Sequence, residues 1–179
     1  MPDSLIQRRP FGKTGEMVSS LGLGGYHLGK IKSVREAVRV VQAAIDAGIT
    51  FMDNAWEYHD GRSEELMGKG LEGRRKDVFL MTKLCTHGRG KREAMRQLEQ
   101  SLKRLKTDFL DLWQIHECVY YNDPERHFMT GGAADALHFV VERDDRHRRF
   151  RRDARDLAID EIVEHQVADA DDGLLGDEL

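Results

Sequence analysis

Residues 48–65 read "GITFMDNAWEYHDGRSEE". The apolar run from Ile49 to Met52 has the length and β-branched character of a strand, and it closes on Asp53. Ser63 is placed to cap a short helix running to Leu71. The connection between strand and helix therefore carries Asp53, Glu57, Tyr58, His59 and Asp60, all able to move or steer a proton. A strand that opens into such a loop is half of a βα unit, and the question is whether the unit repeats.

It does. Upstream, "SSLGLGG" (19–25) reads as a short strand ended by glycines, and "SVRE" (33–36) is a capping box that opens a helix. Val34, Ala37, Val38, Val41, Ala44 and Ile45 make one apolar stripe, and Gly48 stops that helix. Downstream, "DVFLMTK" (77–83) is a third strand, residues 91–105 form a helix with Ala94, Leu98, Leu102 and Leu105 on one side, and "DFLDLWQIH" (108–116) is a fourth strand, apolar on both faces as a buried parallel strand is. Strands alternating with helices predict a parallel sheet. The polar residues closing the last three strands are Asp53, Lys83 and His116, spaced by 30 and 33 positions. A (β/α)8 TIM-type barrel of about 250 residues gives roughly 31 to each unit, and builds its chemistry on the C-terminal rim of its strands. The competing open, doubly wound sheet lacks its fingerprint, because "GLGGYHLG" (22–29) does not have the GxGxxG spacing.

Those rim residues suggest a chemistry. A tyrosine titrates near pH 10 and is a poor acid at neutral pH unless a neighbouring ammonium favours its phenolate. Lys83 is positioned to supply that charge, Asp53 to hold the lysine, and His116 to donate a hydrogen bond to the same substrate oxygen. Tyr58 then gives a proton to an oxygen developing negative charge, which suits reduction of a carbonyl by hydride from a cofactor. Glu57, His59 and Asp60 are expected to be solvated loop groups, and Glu117 a rim charge.

Composition sets the outer limits. The 179 residues suffice for one domain with a core, and a net charge of −4 does not mark a nucleic-acid or membrane binder. Cys85 and Cys118 are too few for a disulfide framework and read as ordinary free thiols, and no N-terminal apolar segment resembles a signal peptide. A reduced, cytoplasmic protein is the expectation. Charge is unevenly spread: all nine lysines precede residue 137, while residues 137–179 hold 7 Arg and 13 acids.

The stretches "FGKTGEMVSSLGLGGYHLG" (11–29), "DAGITFMDNAWEYHDGRSEELMGKGLEG" (46–73), "VFLMTK" (78–83), "QLEQSLKRLKTDFLDLWQIHE" (97–117) and "YNDPERHF" (121–128) resemble, in order, the motifs of the aldo-keto reductase family. The resemblance covers residues 8 to about 136. It implies a (β/α)8 barrel that uses NADPH (bound as NADP) to reduce a small-molecule aldehyde or ketone. It implies a catalytic tetrad of Asp53, Tyr58, Lys83 and His116, with Gly25 and Tyr26, beside Asp53, at the nicotinamide ribose. "FGKTGEMVSSL" (11–21) resembles the family's N-terminal hairpin, which plugs the barrel bottom.

After "GGAADAL" (131–137) the resemblance stops, so the expected architecture is a barrel truncated to about its first four βα units: residues 1–136 as an N-terminal half-barrel and residues 137–179 as a divergent charged tail. In "ERDDRHRRFRRDARD" (142–156) Arg, Asp and His crowd without a strand period, as a reading-frame shift in a GC-rich gene would leave them. The competing expectation is a surface helix, since Leu157, Ala158, Ile162 and Val163 keep helical spacing. The stacking residue for the nicotinamide and the cationic pocket for the 2′-phosphate are not recognisable there, so NADPH binding by this chain is expected to be weak. Two other functions compete. His27, His59, His87 and His116 each follow a different strand, as in a zinc-dependent TIM-barrel hydrolase, although no HxH or HExxH pair is present. Alternatively the chain is an inactive or partner-dependent half-barrel whose open sheet edges favour self-association.

Overall fold

A parallel sheet of four short strands, helices on one of its faces and a hairpin at one end make up the computed structural model, which describes residues 6–85 and 90–137. The hairpin is β1 (Arg8–Pro10) and β2 (Met17–Ser19), paired antiparallel. The sheet then builds in chain order from β3 (Gly22–Gly24), β4 (Phe51–Asp53), β5 (Phe79–Leu84) and β6 (Leu112–Ile115), each parallel to its neighbour. Between them run α1 (Gly25–Leu28), α2 (Val34–Asp46), α3 (Arg62–Gly70) and α4 (Lys91–Leu105), and α5 (Asp123–Phe128) follows β6. This is the βα repeat of a TIM-type barrel in its first four units. The charged tail expected over 137–179, with its helix, lies outside the described residues except for Leu137.

Helix ends follow local chemistry. The Ser33 hydroxyl accepts the Glu36 N–H at 3.3 Å, so the capping box starts α2 where its pattern places it. The helix stops in a Schellman motif: Gly48, at φ 95°, donates to the Ile45 carbonyl, and Ile49 donates to that of Ala44. Ala37, Val41, Ala44 and Ile45 are buried as the stripe requires, whereas Val34 in the first turn is exposed. Met52, Leu80 and Leu84 meet Val41, Leu66, Met67, Leu98 and Leu105 in the core between sheet and helices.

The strand register decides where the rim residues go. Asp53 pairs with Met81, and Lys83, two residues on, pairs with Gln114, two residues before His116. The three residues are thus not level, as equal spacing suggested; each advances two positions on the last. Two is one full pleat, so all three stay on the same face, and the stagger is that of strands tilted round a barrel. On that face but at the opposite end, Phe11 of the hairpin loop lies against Phe51 and Phe79, with ring centroids 5.9 and 5.1 Å away. The hairpin closes the bottom of the curved sheet, as the resemblance implies. β6 corrects one expectation. Trp113 is buried but Gln114 is exposed, because Trp113 faces the core shared with the helices while Gln114 lies on the opposite face with Lys83 and His116.

Candidate active site

The loop after β4 is shaped by a run of left-handed backbone. His59 (φ 53°), Asp60 (φ 56°) and Gly61 (φ 88°) follow one another, a conformation that costs on the order of 1–2 kcal/mol at each non-glycine residue. The surroundings hold it. His59 Nε2 lies 2.8 Å from the Tyr26 carbonyl, and the Arg104 guanidinium fills the space beside Gly61, where a Cβ would stand 2.1 Å from Arg104 Cζ. Arg104 also donates to the Trp56 carbonyl at 2.9 Å and pairs with Glu64, a wholly buried carboxylate that accepts the Thr82 hydroxyl at 2.7 Å. Because the turn runs on through Gly61, α3 begins at Arg62 and Ser63 is not its cap; the Ser63 hydroxyl instead donates to the Gly25 carbonyl at 2.6 Å.

Within this frame the four rim residues come together. Lys83 is ion-paired with Asp53 and donates to the Asn54 carbonyl at 2.8 Å. Its ammonium stands 5.5 Å from the centroid of the Tyr58 ring, and the Tyr58 ring meets His116 edge-on at 5.4 Å. Tyr26 meets Tyr58 edge-on from the other side, also at 5.4 Å. Gly25 is buried, and a Cβ on it would stand 2.6 Å from the Asn54 side chain, so glycine is what lets α1 approach β4.

Two expectations change. Lys83 does not draw the phenol towards phenolate: burial first, then the negative charges of Asp53, Glu117 and Glu57, push Tyr58 above its ordinary value near 10. The lysine is already engaged by Asp53 and Asn54 and faces the ring. Glu57 is not a solvated group. Its Oε1 lies 2.5 Å from His116 Nδ1, and its Oε2 accepts the Cys85 thiol at 3.1 Å. Sequence reasoning passed over it because a carboxylate beside a tyrosine in a loop gives no sign of its direction. Its adjacency to Tyr58, on a turn aimed at the rim, was the one available signal.

The rim histidines do not converge. His59 serves the loop and His116 serves Glu57, while His87 lies outside the described residues. Among the described residues no three His, Cys, Asp or Glu side chains form a cluster able to hold a metal ion. Beside Asp53, a cleft of about 430 Å³ is lined by Ser19, Ser20, Gly22 and Gly24 and by the apolar Phe11, Val18 and Phe51, so it reaches from the rim to the hairpin end of the sheet.

Comparison with known proteins bears on this arrangement directly. The model of the aldo/keto reductase family matches residues 20–166, which carries the likeness beyond residue 136. A methylglyoxal reductase of Escherichia coli is 38% identical over 98 residues, which is 54% of this chain and 34% of that protein. The crystal structure of the thermostable aldo-keto reductase Tm1743 superposes with a TM-score of 0.65 at 31% identity, covering 77% of this chain and 50% of that one. An aldo-keto reductase of Klebsiella pneumoniae in complex with NADPH superposes at 0.63 with 30% identity, covering 73% and 44%. The chain thus spans between about a third and a half of the length of these proteins.

Proposed function

The chain belongs to the aldo/keto reductase family, and from that membership and the rim geometry we propose that it is an NADPH-dependent oxidoreductase converting an aldehyde or ketone to an alcohol. The observation that carries this reading is the unbroken group Asp53–Lys83–Tyr58–His116, one ion pair and two ring contacts long. Bound NADPH supplies the hydride taken up by the carbonyl carbon. Gly25, Tyr26 and Asp53 would hold its nicotinamide end. Tyr58 keeps its phenolic proton, because burial and three nearby acids oppose its loss. That proton is released only when negative charge grows on a carbonyl oxygen placed against Tyr58 Oη. Lys83 places a positive charge beside the ring as the phenolate forms, and Asp53 with the Asn54 carbonyl keeps it there.

The test is consumption of NADPH by the chain with a panel of simple aldehydes, for the parent and for Tyr58→Phe. The phenylalanine variant should keep the fold and lose on the order of 10²–10⁴ in rate. Equal turnover in the two proteins would remove Tyr58 from the reaction. Loss of activity on chelation without any need for NADPH would favour the metal hydrolase. A second form of the same reading has a partner completing the rim; turnover that appears only on adding a complementary half-barrel would identify it.

A further inference from the structure

Glu57 sits between two donors that come from two other elements. The His116 ring at the end of β6 meets Oε1, and the Cys85 thiol just past β5 meets Oε2. A carboxylate can only accept, so the 2.5 Å contact puts the His116 ring proton on Nδ1. Tyr58 is the next residue, and its ring lies edge-on to His116 at an interplanar angle of 78°. One loop therefore presents both the acid of the proposed reaction and the anchor of its histidine.

We propose that Glu57 is a positioning residue for His116, fixing its proton on Nδ1 so that the ring gives a hydrogen bond to a carbonyl oxygen only as a doubly protonated imidazolium. The inference rests on the reductase reading of this site and adds the charge state in which His116 acts. With Nδ1–H committed to Glu57, the neutral ring has a lone pair on Nε2, which repels a carbonyl oxygen. A second proton turns Nε2 into a donor, and the Glu57 carboxylate balances the resulting charge. The other ionisable groups around the ring are Tyr58 on the same loop as Glu57, Cys85 past β5 and Glu117 next in the chain, with Lys83 on the Tyr58 ring. Substrates that suit such a cationic donor are those whose carbonyl oxygen is electron-rich, such as carbonyls conjugated to a donor group.

Long-range proton–nitrogen correlation spectra of the full chain with isotope-labelled histidine report the ring tautomer directly, without cofactor or substrate. In the parent, the neutral His116 ring is expected as the Nδ1–H form. In Glu57→Leu, which offers the ring no acceptor, it should move towards the Nε2–H form that model imidazoles favour. A parent ring protonated on Nε2 overturns the proposal, whether or not any variant folds, and so does an unchanged tautomer in a folded Glu57→Leu. Turnover supplies the second arm. As rising pH removes the second ring proton, kcat/KM of the parent should fall, by on the order of tenfold or more. That of Glu57→Leu should not. Parallel profiles would reduce Glu57 to a structural role. If neither protein consumes NADPH, the reductase reading fails while the tautomer measurement still decides the role of Glu57.

Discussion

Raising the Tyr58 phenol means that the native state holds this proton to higher pH than the unfolded chain does. Stability from the group is therefore complete below about pH 10 and is lost as pH rises through the native value. A tyrosinate absorbance titration should show one phenol ionising later than the rest, and that late phenol should vanish in Tyr58→Phe. Lys83→Met should cost little stability, because Asp53 is more than a third exposed and water can take over its charge. Its effect should appear in kcat, with a loss on the order of 10² or more; a variant with full kcat would mean the ammonium does nothing for the ring. The Asp53–Lys83 pair was legible in the sequence because both residues end apolar strands one repeat apart. The Glu57–His116 pair was not, since a loop carboxylate points wherever three left-handed residues after it allow, and nothing in "EYHDGR" announces that His59 and Asp60 adopt that conformation.

Elements were more legible than their contacts. α4 spans the residues its apolar stripe predicts, and α2 begins and ends at its capping signals. The start of α3 lies one residue before Ser63, because Gly61 in its left-handed conformation ends the turn and stands at the cap position that the serine's chemistry suggests. What periodicity does not carry is how closely helices approach. At Gly68 of α3 a Cβ would stand 2.5 Å from the Arg104 carbonyl oxygen and 2.7 Å from the Leu105 carbonyl carbon, both backbone atoms of α4. Gly68→Ala gains about 1 kcal/mol in helix propensity, yet a rigid neighbour has to move, which typically costs 1–3 kcal/mol. The overpacking wins, and urea denaturation should show a less stable protein. Arg104→Met should cost more, about 3 kcal/mol or above, because it strips Glu64 of its partner while leaving it buried. Burial already raises the Glu64 carboxyl, against its hydrogen bonds from Thr82 and Arg104. Stability from that group is therefore full below its ordinary value near 4.5 and declines as pH rises through the native one. The Arg104→Met deficit should accordingly be largest at neutral pH and shrink in acid; a deficit independent of pH would mean the pair is not electrostatic.

At the scale of the molecule, the parallel order β3–β4–β5–β6 leaves β3 and β6 each paired on one side among the described residues. We propose that these edges promote self-association, so sedimentation should show a weight-average mass that rises with concentration. A mass fixed at the monomer would show the edges to be covered. In the proposed reductase, Gly25, Tyr26 and Asp53 would address only the nicotinamide end of the cofactor. If residues 137–179 add no phosphate site, several charged hydrogen bonds of about 1.5–3 kcal/mol each are missing, and NADPH should bind in the millimolar range or weaker. Saturation at low micromolar NADPH in a fluorescence titration would mean that the tail supplies that site.

The reach of Arg104 has a consequence for the order in which the protein comes into being. Its guanidinium ties α4 to the Trp56 carbonyl 48 positions earlier in the chain. A nascent chain with Asp53 and Tyr58 already synthesised still lacks the strut that holds the loop in its left-handed turn. Closing so long a segment costs entropy before any contact repays it, so the loop acquires its shape late, after α4 has docked on β5. In Arg104→Met the folding rate should then be nearly unchanged and the unfolding rate faster, the signature of an interaction formed after the folding barrier has been crossed.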